Sequence, residues 1–244
     1  MPELPEVETI RQQLAKSIIG LKLQGKEIAR VRRRGKILIF DFKDDKALII
    51  HPKMTGQLIF EGEPSKHTRH IFKFEGGSQL IFNDTRRFGW WKRVKDTKKI
   101  ERELGPEPLA MTLKLFKNIL KDRQGARIKP LLMDQKFIAG IGNIYSDEIL
   151  YGAKVHPLRR VKTLQEGEIE RIFKNIKRIL KAAIKHQGSS TRNFLDAFGQ
   201  KGSYVKYHKV YQKEGRKCGR CGEIVKRIKV SGRSARFCPS CQQI

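Results

Sequence analysis

The sequence is poor in acidic residues. Its 244 residues include 25 Asp and Glu against 53 Lys and Arg, which gives a formal net charge of +28. Self-repulsion of this size destabilises a compact chain unless a polyanion neutralises it, so the composition indicates nucleic acid as the first partner to consider. Hydrophobic residues make up 39% of the chain, which is enough for a packed core and excludes a disordered basic tail.

Long hydrophobic runs are also absent. No stretch approaches the roughly 20 apolar residues that a membrane-spanning helix needs, and the longest, such as Ala47–Ile50, have the length of strands. The N-terminus is acidic and proline-rich and lacks the apolar segment of a secretory signal peptide. We therefore expect a cytoplasmic, nucleoid-associated protein without a membrane partner.

Cysteine is confined to the C-terminal end of the chain. The four cysteines form two C-x2-C pairs separated by sixteen residues: Cys218, Cys221, Cys238 and Cys241. Four thiolates in a tetrahedral array suit zinc and leave no open coordination position, so we predict one structural Zn²⁺ per chain. Two disulfides are the alternative, which an intracellular location disfavours. Residues 201–244 also carry twelve Lys and Arg against two Glu, so the predicted finger is basic.

The first half of the chain has the pattern of a β-rich domain behind one helix. Apolar residues at helical spacing predict a helix over 5–19. Strand-like segments follow at 36–42, 47–50, 57–60, 70–74 and 79–82. Gly105–Pro108 breaks both patterns and is interpreted as a domain linker.

Helical periodicity replaces the strand pattern after this linker. Apolar spacing predicts a helix around 113–120 and a longer one that covers 169–180 and ends near Gly188. Between them, residues 133–145 are interpreted as helix, glycine turn and helix, with Asn143 capping the second helix. The free N–H groups of such a helix start form a phosphate site. The alternative is that two glycines merely make a tight turn between helices.

The second residue is chemically unusual. Removal of Met1 would expose the secondary amine of Pro2, and an α-amino group titrates near pH 7.7–8.0, against about 10.4 for lysine. Such an amine can attack an aldehyde-level carbon and form an iminium, which is a covalent electron sink. The neighbouring Glu3 could transfer protons. The alternative is that Pro2 and Pro5 only set the entry to the first helix.

Together these features resemble the formamidopyrimidine-DNA glycosylase / endonuclease VIII family of base-excision-repair enzymes. The matching segments run in the family's order: M-P-E-L-P-E-V-E-T at 1–9, R-R-G-K at 33–36, H-P-K-M-T-G at 51–56, D-T-R-R-F-G at 84–89, L-G-P-E-P-L at 104–109, K-P-L-L-M-D-Q at 129–135, G-I-G-N-I-Y at 140–145, and the four-cysteine finger. The resemblance implies an α+β fold in three domains. These are an N-terminal β-sandwich with its helix over 1–108, a helix-two-turn-helix domain over 109–210 and a zinc-finger hairpin over 211–244.

The resemblance also implies a catalytic set. Pro2 would be the nucleophile that attacks C1′ of the damaged nucleotide, and Glu3 would protonate the opening sugar ring. Lys36 would assist β-elimination, Glu6 would support the nucleophile, and Arg233 would grip phosphate and serve δ-elimination. For Lys36 the alternative is an ordinary surface lysine beside the run Arg32–Arg34.

Other matched residues are implied to contact DNA. Met54, Arg86 and Phe88 would fill the hole that a flipped nucleotide leaves, with core packing as the alternative for Met54 and Phe88. The remaining implied DNA contacts are His67, Arg87, Lys129 and Asn143. The partner would be double-stranded damaged DNA, bound by a monomer.

Departures from the family pattern occur near Met54, Arg86 and Phe88, the three residues called the wedge below. Pro52 and Lys53 stand where Leu-Gly is common, and Thr85 stands where Pro is usual. The stretch between Gly20 and Arg32 is short, so we expect that the first sheet has lost a hairpin or a connection. The segment over 196–215 has a length comparable to the family's lesion-closing loop, and its composition predicts that it is mobile. The presence of this segment favours 8-oxoguanine and formamidopyrimidines as the substrates. Two alternatives stay open, namely the same chemistry on oxidised pyrimidines and a non-enzymatic zinc-finger DNA-binding protein.

Overall fold

The computed structural model describes all 244 residues, which divide into two compact units. The first unit contains residues 1–103 and 183–205, and the second contains 104–182 and 206–244. The chain therefore leaves the first unit and returns to it late. The three predicted domain boundaries stay a prediction. No helix combines the length and the apolar character that crossing a membrane requires.

The first unit begins with the predicted helix, α1 (Leu4–Ile18). Its apolar stripe of Val7, Ile10, Leu14 and Ile18 is fully buried. The helix packs into a core shared by two antiparallel sheets. The predicted α+β architecture with an N-terminal helix is confirmed.

The two sheets contain eight strands. The five-stranded sheet has the order β1-β2-β3-β4-β8 and the three-stranded sheet the order β5-β7-β6. The strands are β1 (Lys22–Leu23), β2 (Lys26–Arg34), β3 (Ile37–Phe42), β4 (Ala47–His51), β5 (Gly56–Phe60), β6 (Thr68–Lys73), β7 (Gln79–Asp84) and β8 (Trp90–Val94). The short helix α2 (Lys98–Arg102) follows β8.

Three of these strands, β1, β2 and β8, were not predicted from the sequence pattern. In β2 the buried residues Ile28 and Val31 are three positions apart because a β-bulge between Ile28 and Arg30 shifts the register against β3. Strand β8 is an edge strand with mostly exposed side chains, so it has no apolar alternation. The short stretch after Gly20 forms the tight β1–β2 hairpin.

The second unit contains four helices and a hairpin. The helices are α3 (Leu113–Lys121), α4 (Ile128–Met133), α5 (Asn143–Ala153) and α6 (Glu166–Lys185), whose last residues belong to the first unit. Strands β9 (Lys226–Val230) and β10 (Arg233–Phe237) form the antiparallel hairpin. Short 3-10 turns lie at Val161–Thr163 and Tyr204–Tyr207. The predicted helical region and C-terminal hairpin are confirmed.

Candidate active site and zinc site

The start of α1 holds two buried carboxylates. Glu3 is the N-cap residue, and with Glu6 it forms a capping box. The backbone N–H of Glu3 donates to Glu6 Oε2 at 2.8 Å. Glu3 and Glu6 are only 2% and 1% exposed. Both side chains are therefore held in fixed positions beside the first two residues of the chain.

The terminal amine lies close to these carboxylates. Burial lowers its pKa from the ordinary 8.0, the charges of Glu3 and Glu6 oppose this, and the cations Lys36 and Arg192 add to it. Pro2 is buried, so loss of Met1 would place a secondary amine in these surroundings. A lowered pKa enlarges the neutral, nucleophilic fraction of an amine near pH 7.

Glu6 also joins α1 to the segment that re-enters the first unit. Its Oε1 atom accepts the backbone N–H of Ser189 at 2.7 Å. The preceding Gly188 has φ +80, and a Cβ added there would lie 2.8 Å from the same carboxylate oxygen. Only glycine gives the chain both this left-handed backbone and this close approach.

Lys36 is not an ordinary surface lysine, because it is 5% exposed. It follows Gly35, whose φ is 56, and immediately precedes β3. The guanidinium of Arg33 donates to the Gly35 carbonyl oxygen and to Glu8 Oε2 of α1, each at 2.9 Å. These contacts fix the turn that carries Lys36 relative to α1.

The residues matched to the wedge are exposed, so the core-packing alternative is wrong for both apolar members. Phe88 is 53% and Met54 40% exposed, whereas isolated large apolar side chains are normally buried. Arg86 lies with its guanidinium carbon 4.9 Å from the centroid of the Phe88 ring. Arg87 is exposed between them and has a left-handed backbone with φ 58.

Asp84 organises the turn that projects these residues. Its carboxylate accepts the Thr55 hydroxyl and the backbone N–H groups of Arg86, at 3.1 Å, and of Gly89, at 2.7 Å. Burial acts to raise the pKa of Asp84, but these hydrogen bonds outweigh it and lower the pKa. The sequence motif contained this aspartate, but its structural role escaped the sequence analysis. The sequence signal for this role was an Asp at the first position of a turn, where its side chain accepts nearby backbone N–H groups.

His51 is a second residue that the sequence analysis missed. Its Nδ1 accepts the backbone N–H of Lys53 at 2.9 Å, so Nε2 carries the proton of the neutral ring. Burial first, and then the cations Lys53 and Lys36, lower the pKa of His51 to about 3. The result is a neutral hydrogen-bond donor in the electrostatic field of Lys36.

His67 lies beside the turn that Asp84 organises, because its carbonyl oxygen accepts the backbone N–H of Asp84 at 2.9 Å. It lines a cavity of about 300 Å³ together with Thr55, Asn83 and Arg192. The segment predicted to be mobile, which begins at Asp196, is tied to α1, because Gln13 Nε2 donates to Asp196 Oδ2 at 2.7 Å.

In the second unit a glycine turn lies between two helices, but α4 ends at Met133, so the predicted helix between Met133 and the glycines is absent and the turn covers 134–142. The cap of the following helix also differs from the prediction. Gly142 is the N-cap residue of α5 and Asn143 is the first helical residue, so the prediction that Asn143 caps the helix is wrong. Gln135 holds the turn, because its Oε1 accepts the Gly140 N–H at 2.9 Å and its Nε2 donates to the Ile141 carbonyl at 2.8 Å.

Lys129 is fully buried, at 0% exposure, so its burial does not support the predicted DNA contact. Its Nζ lies 2.5 Å from Asp147 Oδ1 and donates to the Ser234 carbonyl oxygen at 2.6 Å. Arg233, by contrast, is exposed and opens β10 directly after the left-handed residues Ser231 and Gly232. It therefore stands at the tip of the β9–β10 hairpin.

The four cysteines meet in one cluster. All four Sγ atoms lie within 4.8 Å of one another. Individual separations are 3.4 Å for Cys221–Cys238 and Cys221–Cys241, and 4.0 Å for Cys218–Cys241. Tetrahedral zinc with bonds of about 2.3 Å requires sulfur atoms roughly 3.8 Å apart. The thiolates therefore fit a single structural zinc ion, and the two-disulfide alternative is not what the structure contains.

Comparison with known proteins places family domains along most of the chain. The formamidopyrimidine-DNA glycosylase N-terminal domain matches residues 19–91, its H2TH domain matches 104–194, and the zinc finger found in FPG and IleRS matches 215–244. A formamidopyrimidine-DNA glycosylase of Pelotomaculum thermopropionicum is 40% identical, with 100% of both chains covered.

Solved structures of proteins from the same family also match the chain over nearly its full length. A Lactococcus lactis Fpg in complex with abasic-site DNA superposes with a TM-score of 0.91 at 38% identity, covering 99% of this chain and 100% of that one. A MutM complex with DNA containing carbocyclic 8-oxo-G has a TM-score of 0.91 at 38% identity and full coverage of both chains. The Lactococcus lactis protein bound to DNA containing an oxidized pyrimidine has a TM-score of 0.89 at 38% identity, also with full coverage.

Proposed function

Because this chain belongs to the formamidopyrimidine-DNA glycosylase family, we propose that it is a base-excision-repair DNA glycosylase with AP lyase activity. Its substrate is double-stranded DNA that contains an oxidised base. The observation that carries this proposal is the buried corner of the first unit. A terminal amine of lowered pKa there lies in the field of Glu3, Glu6 and Lys36.

The chemistry begins at the processed N-terminus. The lone pair of the Pro2 nitrogen forms a bond to C1′, the glycosidic bond breaks with its electron pair on the base, and the base takes up the proton that the Pro2 nitrogen loses. Glu3, held in place at the start of α1, protonates the ring oxygen as the sugar opens to an iminium. Removal of a C2′ proton sends its electron pair into the iminium and gives an enamine. The enamine electrons then form the C2′–C3′ double bond and expel the 3′ phosphate with the electron pair of the C3′–O bond. Removal of a C4′ proton expels the 5′ phosphate through the same conjugated system.

Other polar and charged side chains are proposed to support these steps. Lys36 is buried and acts electrostatically on the terminal amine, so it can stabilise charge near the sugar. His51, neutral with its Nε2–H available, is a candidate to hold the adjacent phosphate. Arg233 on the hairpin tip and the α5 N-terminus at Asn143 are proposed phosphate contacts. His67, from its place in the first unit, is a further proposed DNA contact.

The exposed side chains of Met54, Arg86 and Phe88 are proposed to fill the hole left by the extruded nucleotide. Unstacking a base costs roughly a few kcal/mol, and an inserted aromatic ring recovers part of that cost. The exposed Arg87 is proposed to contact DNA beside them. The zinc ion serves only to hold the hairpin and takes no part in the chemistry.

For lesion choice we propose oxidised purines, 8-oxoguanine and formamidopyrimidines, as the preferred substrates. The MutM relative in complex with DNA that contains carbocyclic 8-oxo-G supports this, and the relative in complex with DNA that contains an oxidized pyrimidine makes those bases the second candidate. We further propose that the protein acts as a monomer in the cytoplasm, associated with the nucleoid. Excision rates on matched duplexes carrying 8-oxoguanine or thymine glycol distinguish the two substrate classes.

Borohydride trapping tests the function. Incubation with DNA that contains 8-oxoguanine opposite cytosine should yield a covalent adduct, which maps to the first tryptic peptide by mass spectrometry. Protein that retains an N-terminal tag, so that the Pro2 nitrogen is an amide, should lose the adduct and the strand nicking while it retains DNA binding. Absence of an adduct with correctly processed wild-type protein contradicts the proposal. Full nicking activity in the tagged protein indicates another nucleophile.

A further inference from the structure

Two consecutive acidic residues of α5 point at the C-terminal part of the second unit. Asp147 and Glu148 are 1% and 3% exposed, and isolated carboxylates are almost never buried to this degree. Each accepts hydrogen bonds from a different stretch of chain. Helix α5 is the same helix whose N-terminus at Gly142 and Asn143 is the proposed phosphate site.

Asp147 is linked to the zinc hairpin directly through Arg236 and indirectly through Lys129 of α4. One carboxylate oxygen lies 2.5 Å from Lys129 Nζ, and the other accepts the backbone N–H of Arg236 at 3.2 Å. Lys129 in turn donates to the carbonyl oxygen of Ser234 at 2.6 Å. Ser234 directly follows Arg233, so the ion pair contacts β10 at the residue next to Arg233, which stands at the hairpin tip.

Glu148 fixes the segment that leads into the finger. Its carboxylate accepts three consecutive backbone N–H groups, from Lys209 at 2.9 Å, Val210 at 3.0 Å and Tyr211 at 2.8 Å. Burial raises the pKa of Glu148, and the three hydrogen bonds oppose that rise. Together the two carboxylates attach both the entry and the second strand of the zinc module to α5.

Stability alone does not explain a buried ion pair at this place. Well-packed apolar residues of similar volume often stabilise a core as much or more, because desolvation of two charges offsets their attraction. A salt bridge with defined hydrogen bonds can fix one orientation between the elements that it joins, whereas apolar packing is less directional. Here the fixed element is the strand that begins with Arg233.

We infer that Lys129 and Asp147 are positioning residues, which hold Arg233 at a set orientation relative to the α5 N-terminus so that both engage the DNA backbone together. The inference rests on the proposed function. It gives Lys129 an indirect role in DNA binding in place of the direct contact expected from the sequence.

The test is a double variant, Lys129→Met with Asp147→Leu, which replaces the pair by apolar residues of similar volume. We expect it to keep one zinc per chain and a melting temperature close to that of the wild type. The fraction of δ-elimination product should fall at least tenfold on abasic DNA. The slope of log Kd against log salt should decrease by about 0.9, the equivalent of one phosphate contact. Borohydride trapping should persist.

Three controls make the outcome decisive. Lys121→Met removes an exposed lysine of the same unit and should leave product ratio unchanged. Arg233→Gln should reproduce the loss, and adding it to the double variant should lower δ-product little further, because residues acting as one unit are not additive. Asp147→Asn, which keeps the shape of the side chain, should lose part of the δ-product and carries the test if the double variant loses zinc.

A wild-type product ratio and salt slope in the folded double variant overturn the inference. So does an unchanged product ratio in Asp147→Asn when the double variant does not fold. Failure of the wild-type protein to form a borohydride adduct is a different result, since it overturns the proposed function itself.

Discussion

The carboxylate of Glu6 accepts the backbone N–H of Ser189 at 2.7 Å, a contact between residues 183 positions apart. The same carboxylate accepts the N–H of Glu3 through its other oxygen. Glu6 therefore connects the first turn of α1, which directly follows the proposed nucleophile Pro2, to the late segment of the first unit. It acts through position, since both oxygens are occupied by backbone donors.

Glu6→Gln should break this connection on one side. A glutamine offers one acceptor oxygen, so its amide N–H group must face one of the two backbone N–H donors. A buried donor left without an acceptor costs about 1–3 kcal/mol. We expect a loss of stability of that size in urea unfolding and a borohydride trapping rate at least tenfold lower. Glu27→Gln removes a surface partner of Lys43 and should change neither; equal effects in the two variants contradict this role for Glu6.

The rate of adduct formation should depend on pH through the terminal amine. Burial and the cations Lys36 and Arg192 lower the pKa of the Met1 α-amine, and the Pro2 amine exposed by removal of Met1 enters the same surroundings. The neutral fraction of the Pro2 amine, and with it the trapping rate on abasic DNA, should therefore rise with a midpoint below the pKa of the same amine in a free peptide of the same N-terminal sequence. Arg192→Gln removes a positive charge that disfavours protonation, so the midpoint should move to higher pH. A wild-type midpoint at or above the pKa of the free peptide contradicts this effect of burial.

Phe88 and Phe82 provide a matched pair of phenylalanines. Phe88 is 53% exposed and Phe82 is 2% exposed. Phe88→Ala should change the free energy of unfolding by no more than about 0.5 kcal/mol and slow single-turnover base excision about tenfold or more, because the inserted ring is lost. Phe82→Ala should cost about 3–5 kcal/mol of stability through the cavity it leaves. Unimpaired excision by Phe88→Ala removes this residue from the wedge.

Lys53 occupies a left-handed backbone position, with φ 50, where the family resemblance places glycine. This conformation costs a non-glycine residue roughly 1–2 kcal/mol, and the extra unfolded-state freedom of glycine offsets about 0.5–1 kcal/mol of the relief. Lys53→Gly should therefore stabilise the protein by up to about 1 kcal/mol in urea unfolding. Lys66→Gly removes the same charge from a loop residue without positive φ and should be destabilising. Destabilisation by both substitutions argues against strain at Lys53.

The elements with regular periodicity were predictable from the sequence, and those without it were not. Helix α1 was visible because its apolar residues repeat at helical spacing, and strands β3, β4, β5, β6 and β7 were visible as short runs rich in β-branched and aromatic residues. Strand β2 was not, since a β-bulge places Ile28 and Val31 on one face at a spacing that belongs to no regular strand.

The candidate site was predictable where a motif names the reacting group and unpredictable where long-range contacts assign the role. Pro2, the exposed wedge and the cysteine cluster followed from motifs. The burial of Lys129 did not, because its partners Asp147 and Ser234 lie 18 and 105 positions away. The functions of Asp84 and His51 likewise depend on which backbone N–H groups their side chains accept, which no local pattern specifies.

The return of residues 183–205 to the first unit affects the order in which a nascent chain folds. Phe194 and Ala197 belong to the core that also contains Leu14 of α1 and Phe40 of β3. During synthesis on the ribosome, the core of the amino-terminal sheets is therefore complete only after about four fifths of the polypeptide has emerged. Apolar surface that stays exposed during that interval is prone to aggregation, and this is the stage at which chaperones act on a nascent chain.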